Sequence, residues 1–205
     1  QYIHPCGSDR IAGSKLLSSG QLIGPPEMAI LASSGNASVQ ATIPPRVAII
    51  STGDELIDVG EKILPYQIRS SNERAIEASL IRHCQATVTR VCLKDDLTII
   101  LKTIKELHDK NDTVILSGGV SMGDYDFVPQ ALRNLSAKTI FHRIEQKPGR
   151  PMWFGVSEDR KPIFGLPGNP VSTLVCLTRY VIPALKHAMG LNITNQETVR
   201  LTKEI

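Results

Sequence analysis

Apolar runs of strand length alternate along this chain with amphipathic segments of helical length, and that alternation leaves few architectures open. It predicts βαβ units and a mostly parallel sheet covered by helices on both faces, an α/β fold of three layers, αβα. Arg46 to Ser51 carries the continuous run Val47-Ala48-Ile49-Ile50, as expected of a strand buried on both sides. From Asn72 to Cys84, Ile76, Leu80 and Cys84 fall one helical turn apart behind Ser71 as cap, which predicts a helix. Further strands are expected at Thr87 to Leu93, Thr113 to Ser117, Thr139 to Ile144, Pro151 to Val156 and Pro162 to Leu166. Asp95 or Asp96 caps a helix with Leu97, Ile100, Leu101, Ile104 and Leu107 on one face. Asp126 to Leu135 reads as a short helix, and Pro170 to Met189 as a longer one kinked at Pro183.

Composition narrows the function classes. A chain of 205 residues with 41% hydrophobic and 21% charged residues supports one globular core with some appended material. A net charge of +3, with basic residues dispersed, gives no footprint for nucleic acid, and 4% aromatic residues offer little to stack bases on. No apolar run reaches the length of a membrane span and no signal peptide opens the chain, so a soluble protein is expected. Cys6, Cys84, Cys92 and Cys176 are far apart, without CxxC or His partners at metal spacing. They read as reduced thiols of a cytoplasmic protein, with Cys84 and Cys92 packing as small hydrophobes. Residues 1–45, rich in Gly, Ser and Pro, read as an extended, strand-poor lead-in or the tail of another domain. The core is assigned to residues 46–190, and residues 191–205 to the start of a further module. Gln1 in place of methionine suggests a fragment or a processed chain.

Function should sit where strands end. Three successive strands run into acidic loops: Thr52-Gly53-Asp54-Glu55, then Asp95 and Asp96, then Asp124 and Asp126 after a Gly-rich turn. In an open α/β sheet such loops share one edge, and carboxylates brought together there call for a cation. Mg²⁺ suits the place, because it takes oxygen ligands and keeps waters and substrate phosphates in its shell. Each acid taken singly also serves as a helix cap or a solvated loop residue. The turn Ser117-Gly118-Gly119-Val120-Ser121-Met122-Gly123 offers N–H groups and hydroxyls to an anion. It lacks the lysine of a Walker A loop and is not GxGxxG. Lys147-Pro148-Gly149-Arg150-Pro151 sets two cations around a Pro-Gly turn, suited to phosphate or another oxyanion. Gly165-Leu166-Pro167-Gly168-Asn169-Pro170 is a rigid turn leading into a helix, with Asn169 as N-cap and Pro170 in the first turn. The helix start favours an anion there. Together these point to a polyanionic substrate held with a divalent metal. No Ser/His/Asp order, HExxH motif or reactive Cys/His pair competes for the catalytic role.

In this order and spacing, Ser51-Thr52-Gly53-Asp54-Glu55-Leu56, Ser117-Gly118-Gly119-Val120-Ser121 with Gly123 and Asp126, Lys147-Pro148-Gly149, and Gly165 to Pro170 resemble the molybdopterin molybdenumtransferase family, the MoeA proteins and the gephyrin E domain. The resemblance covers essentially the whole chain. It implies a molybdopterin-binding α/β domain at 46–190, the end of a β-rich domain at 1–45, and the opening of a C-terminal β domain at 191–205. It further implies insertion of molybdenum from molybdate into adenylylated molybdopterin with release of AMP and assistance from Mg²⁺. Carried over by motif, Glu55, Asp95 and Asp126 are the catalytic and metal-holding acids. Thr52, Gly53, Asp54, Asn72, Ser117, Gly118, Gly119, Ser121 and Gly123 contact the pterin nucleotide. Lys147 and Arg150 offset its charge, and Pro167, Gly168, Asn169 and Pro170 form a wall of the site. Two departures stand out. Ser70 occupies a position where many relatives carry an acidic or amide residue, and the family's N-terminal domains, with their Thr-Gly-Ala loop, are not in this sequence. The resemblance implies a homodimer at full length, with those domains completing the site across it. A molybdopterin adenylyltransferase, a nucleotide hydrolase of the competence-damage type and a non-catalytic gephyrin-like scaffold remain as alternatives.

Overall fold

The computed structural model describes residues 3–119, 132–133 and 135–192. The chain divides into two compact units, one of Ile43–Leu185 and one that joins Gln1–Thr42 to Lys186–Ile205.

The larger unit is built on a six-stranded sheet of β1 (Arg46–Thr52), β4 (Thr87–Leu93), β5 (Thr113–Ser117), β6 (Lys138–His142), β7 (Trp153–Val156) and β8 (Pro162–Leu166). Its order is β4-β1-β5-β8-β7-β6. The pairs β4/β1, β1/β5 and β5/β8 are parallel, while β7 runs antiparallel to both β8 and β6. A separate parallel pair is formed by β2 (Leu56–Ile57) and β3 (Ile68–Arg69). Central β1 is the strand that its unbroken apolar run requires, with Val47 to Ile50 fully buried.

Alternation along the strands sorts the sheet's two faces. Ala48, Ile50, Val114, Leu116 and Ile163 form one core with Ile100 and Ile104 of α3 (Leu97–Lys110). Ser117 points to the opposite face, where its hydroxyl meets Asn72 at the start of α2 (Asn72–Cys84). Phe141, Phe154 and Phe164 stack across β6, β7 and β8 with centroids 5.6 and 4.9 Å apart, tying the antiparallel extension to the parallel sheet.

The helix ends follow their local chemistry. Of the two candidate caps for α3 it is Asp96 that serves, accepting from the Ile99 N–H at 3.0 Å. Ser71 occupies the cap position of α2 but makes no side-chain cap bond. Helix α4 (Pro170–Cys176) starts as expected, with the Asn169 side chain accepting from the Ser172 N–H at 3.1 Å. Ahead of Pro183, where a kink is expected, the helix carries a π-helical turn, Leu177–Val181, followed by α5 (Ile182–Ala188). Proline has no N–H to return to the carbonyl one α-turn back, and the preceding Ile182 N–H reaches five residues back to Leu177.

Two expectations are corrected. Cys92 is exposed, because β4 is an edge strand, whereas Cys84 and Cys176 are buried and none of the four cysteines is disulfide-bonded. In the smaller unit the stretch read as extended contains α1 (Pro25–Ser33), and among its described residues there is no strand. Pro25 opens that helix and the Glu27 carboxylate accepts from the Gly24 N–H at 2.9 Å. The helix expected from Asp126 to Leu135 falls largely outside the described residues. No helix among the described residues is long and apolar enough to cross a membrane.

Candidate functional site

The carboxyl ends of β1, β4, β5 and β8 lie along one edge of the sheet. From β1 the chain crosses to β4 on one side, and β5 borders β8 on the other, so the connections diverge between β1 and β5 and leave a crevice there. The loops at this point approach closely. A Cβ on Gly118 would stand 3.3 Å from the Thr52 carbonyl oxygen.

Backbone bonds lace the strand ends together. The Gly53 N–H donates to the Leu93 carbonyl at 3.2 Å and the Gly118 N–H to the Leu166 carbonyl at 3.2 Å. The two acidic loops also meet, with the Asp95 N–H donating to Asp54 Oδ1 at 3.2 Å. Glu55, exposed beside them, folds its carboxylate back over Gly53 to within 2.7 Å of where a Cβ would be. Thus Thr52, Gly53, Asp54, Glu55 and Asp95 share one corner of the edge. Ser121, Gly123 and Asp126 lie outside the described residues.

Asn72 joins the next two loops. Its amide nitrogen lies 3.1 Å from Ser117 Oγ, 2.8 Å from the Gly168 carbonyl oxygen and 3.3 Å from Thr173 Oγ1. Thr173, almost fully buried, stands 2.5 Å from the Pro167 carbonyl oxygen and 2.9 Å from that of Asn169. The Gly-rich turn after β5 and the Pro-Gly-Asn-Pro wall after β8 are therefore held in register by one side chain. Asn72 acts as a clamp, with its donors committed to protein acceptors, and Asn169 likewise commits its carbonyl to the cap of α4. Gly118 and Gly119 both have positive φ, 93° and 64°, a sharp turn that glycine adopts without strain directly after β5, and the Gly118 N–H within it is spent on Leu166.

Lys147 and Arg150 reach the same edge by another route. They sit in the turn between β6 and β7, and β7 begins opposite the end of β8, Trp153 facing Gly165. Both cations are exposed and neither has an ion-pair partner among the described residues. Gly149 between them is buried with φ of 112°, and a Cβ there would stand 2.6 Å from Cys176 Sγ on α4. Burial pushes the Cys176 thiol above its ordinary range, so it stays protonated and its S–H points to the Gly149 carbonyl at 3.6 Å.

Sequence reasoning missed Thr173, Gln146, Tyr180 and Cys176 as parts of this framework. Thr173 carried a local signal, four residues after the cap Asn169; the other three meet only through the tertiary fold. Ser70 donates to Glu73 Oε2 at 2.5 Å, and Glu73, though 3% exposed, has Arg90 3.9 Å away. The acids suit a hard cation in donor type, since carboxylate oxygens from two neighbouring loops are the ligands Mg²⁺ takes. Among the described residues no three His, Cys, Asp or Glu side chains gather closely enough to hold a metal ion, so those residues alone would leave much of its shell to waters and substrate oxygens.

Residues 48–187 match a family described as a probable molybdopterin binding domain. The chain is 37% identical over 183 residues to a molybdopterin molybdenumtransferase of Synechocystis, covering 89% of this chain and 47% of that protein. It is 39% identical over 182 residues to one from Nostoc, covering 88% and 42%. Among solved structures, a molybdopterin biosynthesis MoeA protein of Pyrococcus horikoshii aligns with a TM-score of 0.74 and 31% identity, covering 85% of this chain and 43% of that one. The chain thus spans under half the length of each of these three proteins.

Proposed function

This chain belongs to the molybdopterin-binding domain family, and from that premise we propose that it carries the pterin-binding part of a molybdenumtransferase. The substrates are adenylylated molybdopterin and molybdate, and the products are molybdenum cofactor and AMP. The observation that carries this reading is the shared edge, where Asn72 fixes the Gly-rich turn against the Pro-Gly-Asn-Pro wall while Asp54 ties the two acidic loops together. A pterin bearing a phosphoanhydride needs just such a mixture: N–H groups and cations for its phosphates, carboxylates for a metal, and stiff walls around its rings.

Roles follow from chemistry. Ser117, Gly118, Gly119 and Ser121 with Gly123 cradle phosphate, and Lys147 and Arg150 balance negative charge. Thr52, Gly53 and Asp54 line the crevice floor, and Pro167, Gly168, Asn169 and Pro170 form its wall. Glu55 and Asp95, with Asp126, hold Mg²⁺. When bound, that ion supplies charge stabilisation to the phosphoanhydride oxygens. The protein contributes position and electrostatics rather than a nucleophile. A homodimer, with N-terminal domains completing the site, is part of the same proposal.

The test supplies the purified chain with the complementary N-terminal domains, adenylylated molybdopterin, molybdate and Mg²⁺, and follows AMP. Release of AMP, abolished in Asp95→Ala and in Asp126→Ala, supports the assignment; release undiminished in both variants rejects it. Formation of adenylylated product from ATP and molybdopterin would instead identify an adenylyltransferase.

A further inference from the structure

The cationic turn is held from behind by a helix that begins at the site's opposite wall. Gln146 directly precedes Lys147, and its Nε2 donates to the Pro148 carbonyl at 2.7 Å across the turn. Its Oε1 accepts from the Tyr180 hydroxyl at 2.8 Å. Tyr180 lies in the π-helical turn Leu177–Val181, one continuous segment on from α4, whose cap is Asn169. Cys176, between them, packs its sulfur against Gly149 and lies 4.0 Å from Gln146 Nε2. The backbone closes the same turn, with Ile144 N–H donating to the Arg150 carbonyl at 2.9 Å and Met152 N–H to that of Gly149 at 3.2 Å. Nothing in this set touches the exposed heads of Lys147 and Arg150.

We propose that Gln146 and Tyr180 are positioning residues, a latch that fixes the Lys147–Arg150 turn against helix α4 so that both cations engage one polyphosphate together. The proposal rests on the anion-binding reading of this edge. Its physical basis is separation. Two cations on one turn bind a diphosphate jointly only if the turn holds one shape, whereas a single phosphate needs only one of them. Tyr180 is suited to the task because its ring is anchored in a helix that also builds the Pro-Gly-Asn-Pro wall, so wall and cations move as one body. The π turn Leu177–Val181 carries that ring to within hydrogen-bond reach of Gln146.

Isothermal titration of the full chain with inorganic pyrophosphate and, separately, orthophosphate tests this. Tyr180→Phe and Gln146→Ala should each weaken pyrophosphate binding by about fivefold, the worth of one neutral hydrogen bond, and leave orthophosphate binding unchanged. The ratio of the two affinities is the decisive quantity, because general loosening of the fold would lower both. A ratio unaltered in both variants, or equal weakening of both anions, overturns the latch. The double variant Lys147→Ala/Arg150→Ala tests the underlying site separately: it should lose the preference for pyrophosphate. If it binds pyrophosphate as the unaltered chain does, or the unaltered chain does not bind it, the anion-site reading fails and the latch with it.

Discussion

The Asn72 amide, with two N–H groups, lies within reach of the end of β5, the Gly168 carbonyl and Thr173 of α4, so its removal leaves the Gly168 carbonyl without its side-chain donor at the crevice. Asn72→Ala should therefore cost about 1–3 kcal/mol in urea unfolding, with Asn72→Asp at least as damaging because a carboxylate cannot donate to Gly168. Retention of wild-type stability by both would remove the clamp from the account. Gly149 is a second point of no latitude. Its left-handed backbone disfavours any L side chain, and an added Cβ meets Cys176 Sγ at 2.6 Å in a buried place. Gly149→Ala is expected to lower stability by about 1–3 kcal/mol, read from the shift in the urea midpoint.

At the scale of elements, the C-terminus of α2 holds an improvable residue. Gln85 ends the helix with φ of 53°, its N–H donating to Ile81 and the next, that of Ala86, to Leu80, a left-handed cap that glycine adopts without strain. Gln85→Gly should stabilise the protein by about 1 kcal/mol, and a neutral or adverse shift in denaturation midpoint would contradict it. The start of β1 carries a pH-sensitive tie. Arg46 bonds the Asp112 carboxylate through its backbone N–H at 2.8 Å and its guanidinium at 2.8 Å. The Arg46 guanidinium holds the Asp112 carboxyl below its ordinary value of 3.8. A depressed folded-state pKa means that the stabilisation is complete above that value and disappears as pH falls through the folded pKa. Asp112→Asn should thus be slightly less stable than the parent at pH 7, by at most about 1 kcal/mol because the pair is half-exposed and screened. The gap should narrow in thermal melts as pH is taken from 7 down to 2; a gap unchanged over that range would sever the link to ionisation.

At the scale of the whole molecule, the buried apolar side chains of the described residues all lie between Val47 and Leu185, within the larger unit. Residues 43–188 expressed alone should therefore unfold in one cooperative urea transition by circular dichroism, and a gradual, non-cooperative loss would show that the core needs the flanking segments. Much of this organisation was legible along the chain. The run Val47 to Ile50 announced a central strand, Asn169 and Pro170 announced the start of a helix, and the glycines announced turns, because each depends on neighbours in sequence. Cys92 was misjudged as a packed residue because its strand's apolar character does not reveal that the strand stands at an edge. The sequence by itself determined the alternation of strand and helix, the turn chemistry and the acidic and cationic side chains offered at the loops. Only the tertiary structure decided which of them meet: Asn72 with Ser117 and Gly168, Asp54 with Asp95, Gln146 with Tyr180. Strand order and long-range hydrogen bonds arise from how the sheet closes its core, and no local periodicity carries that information.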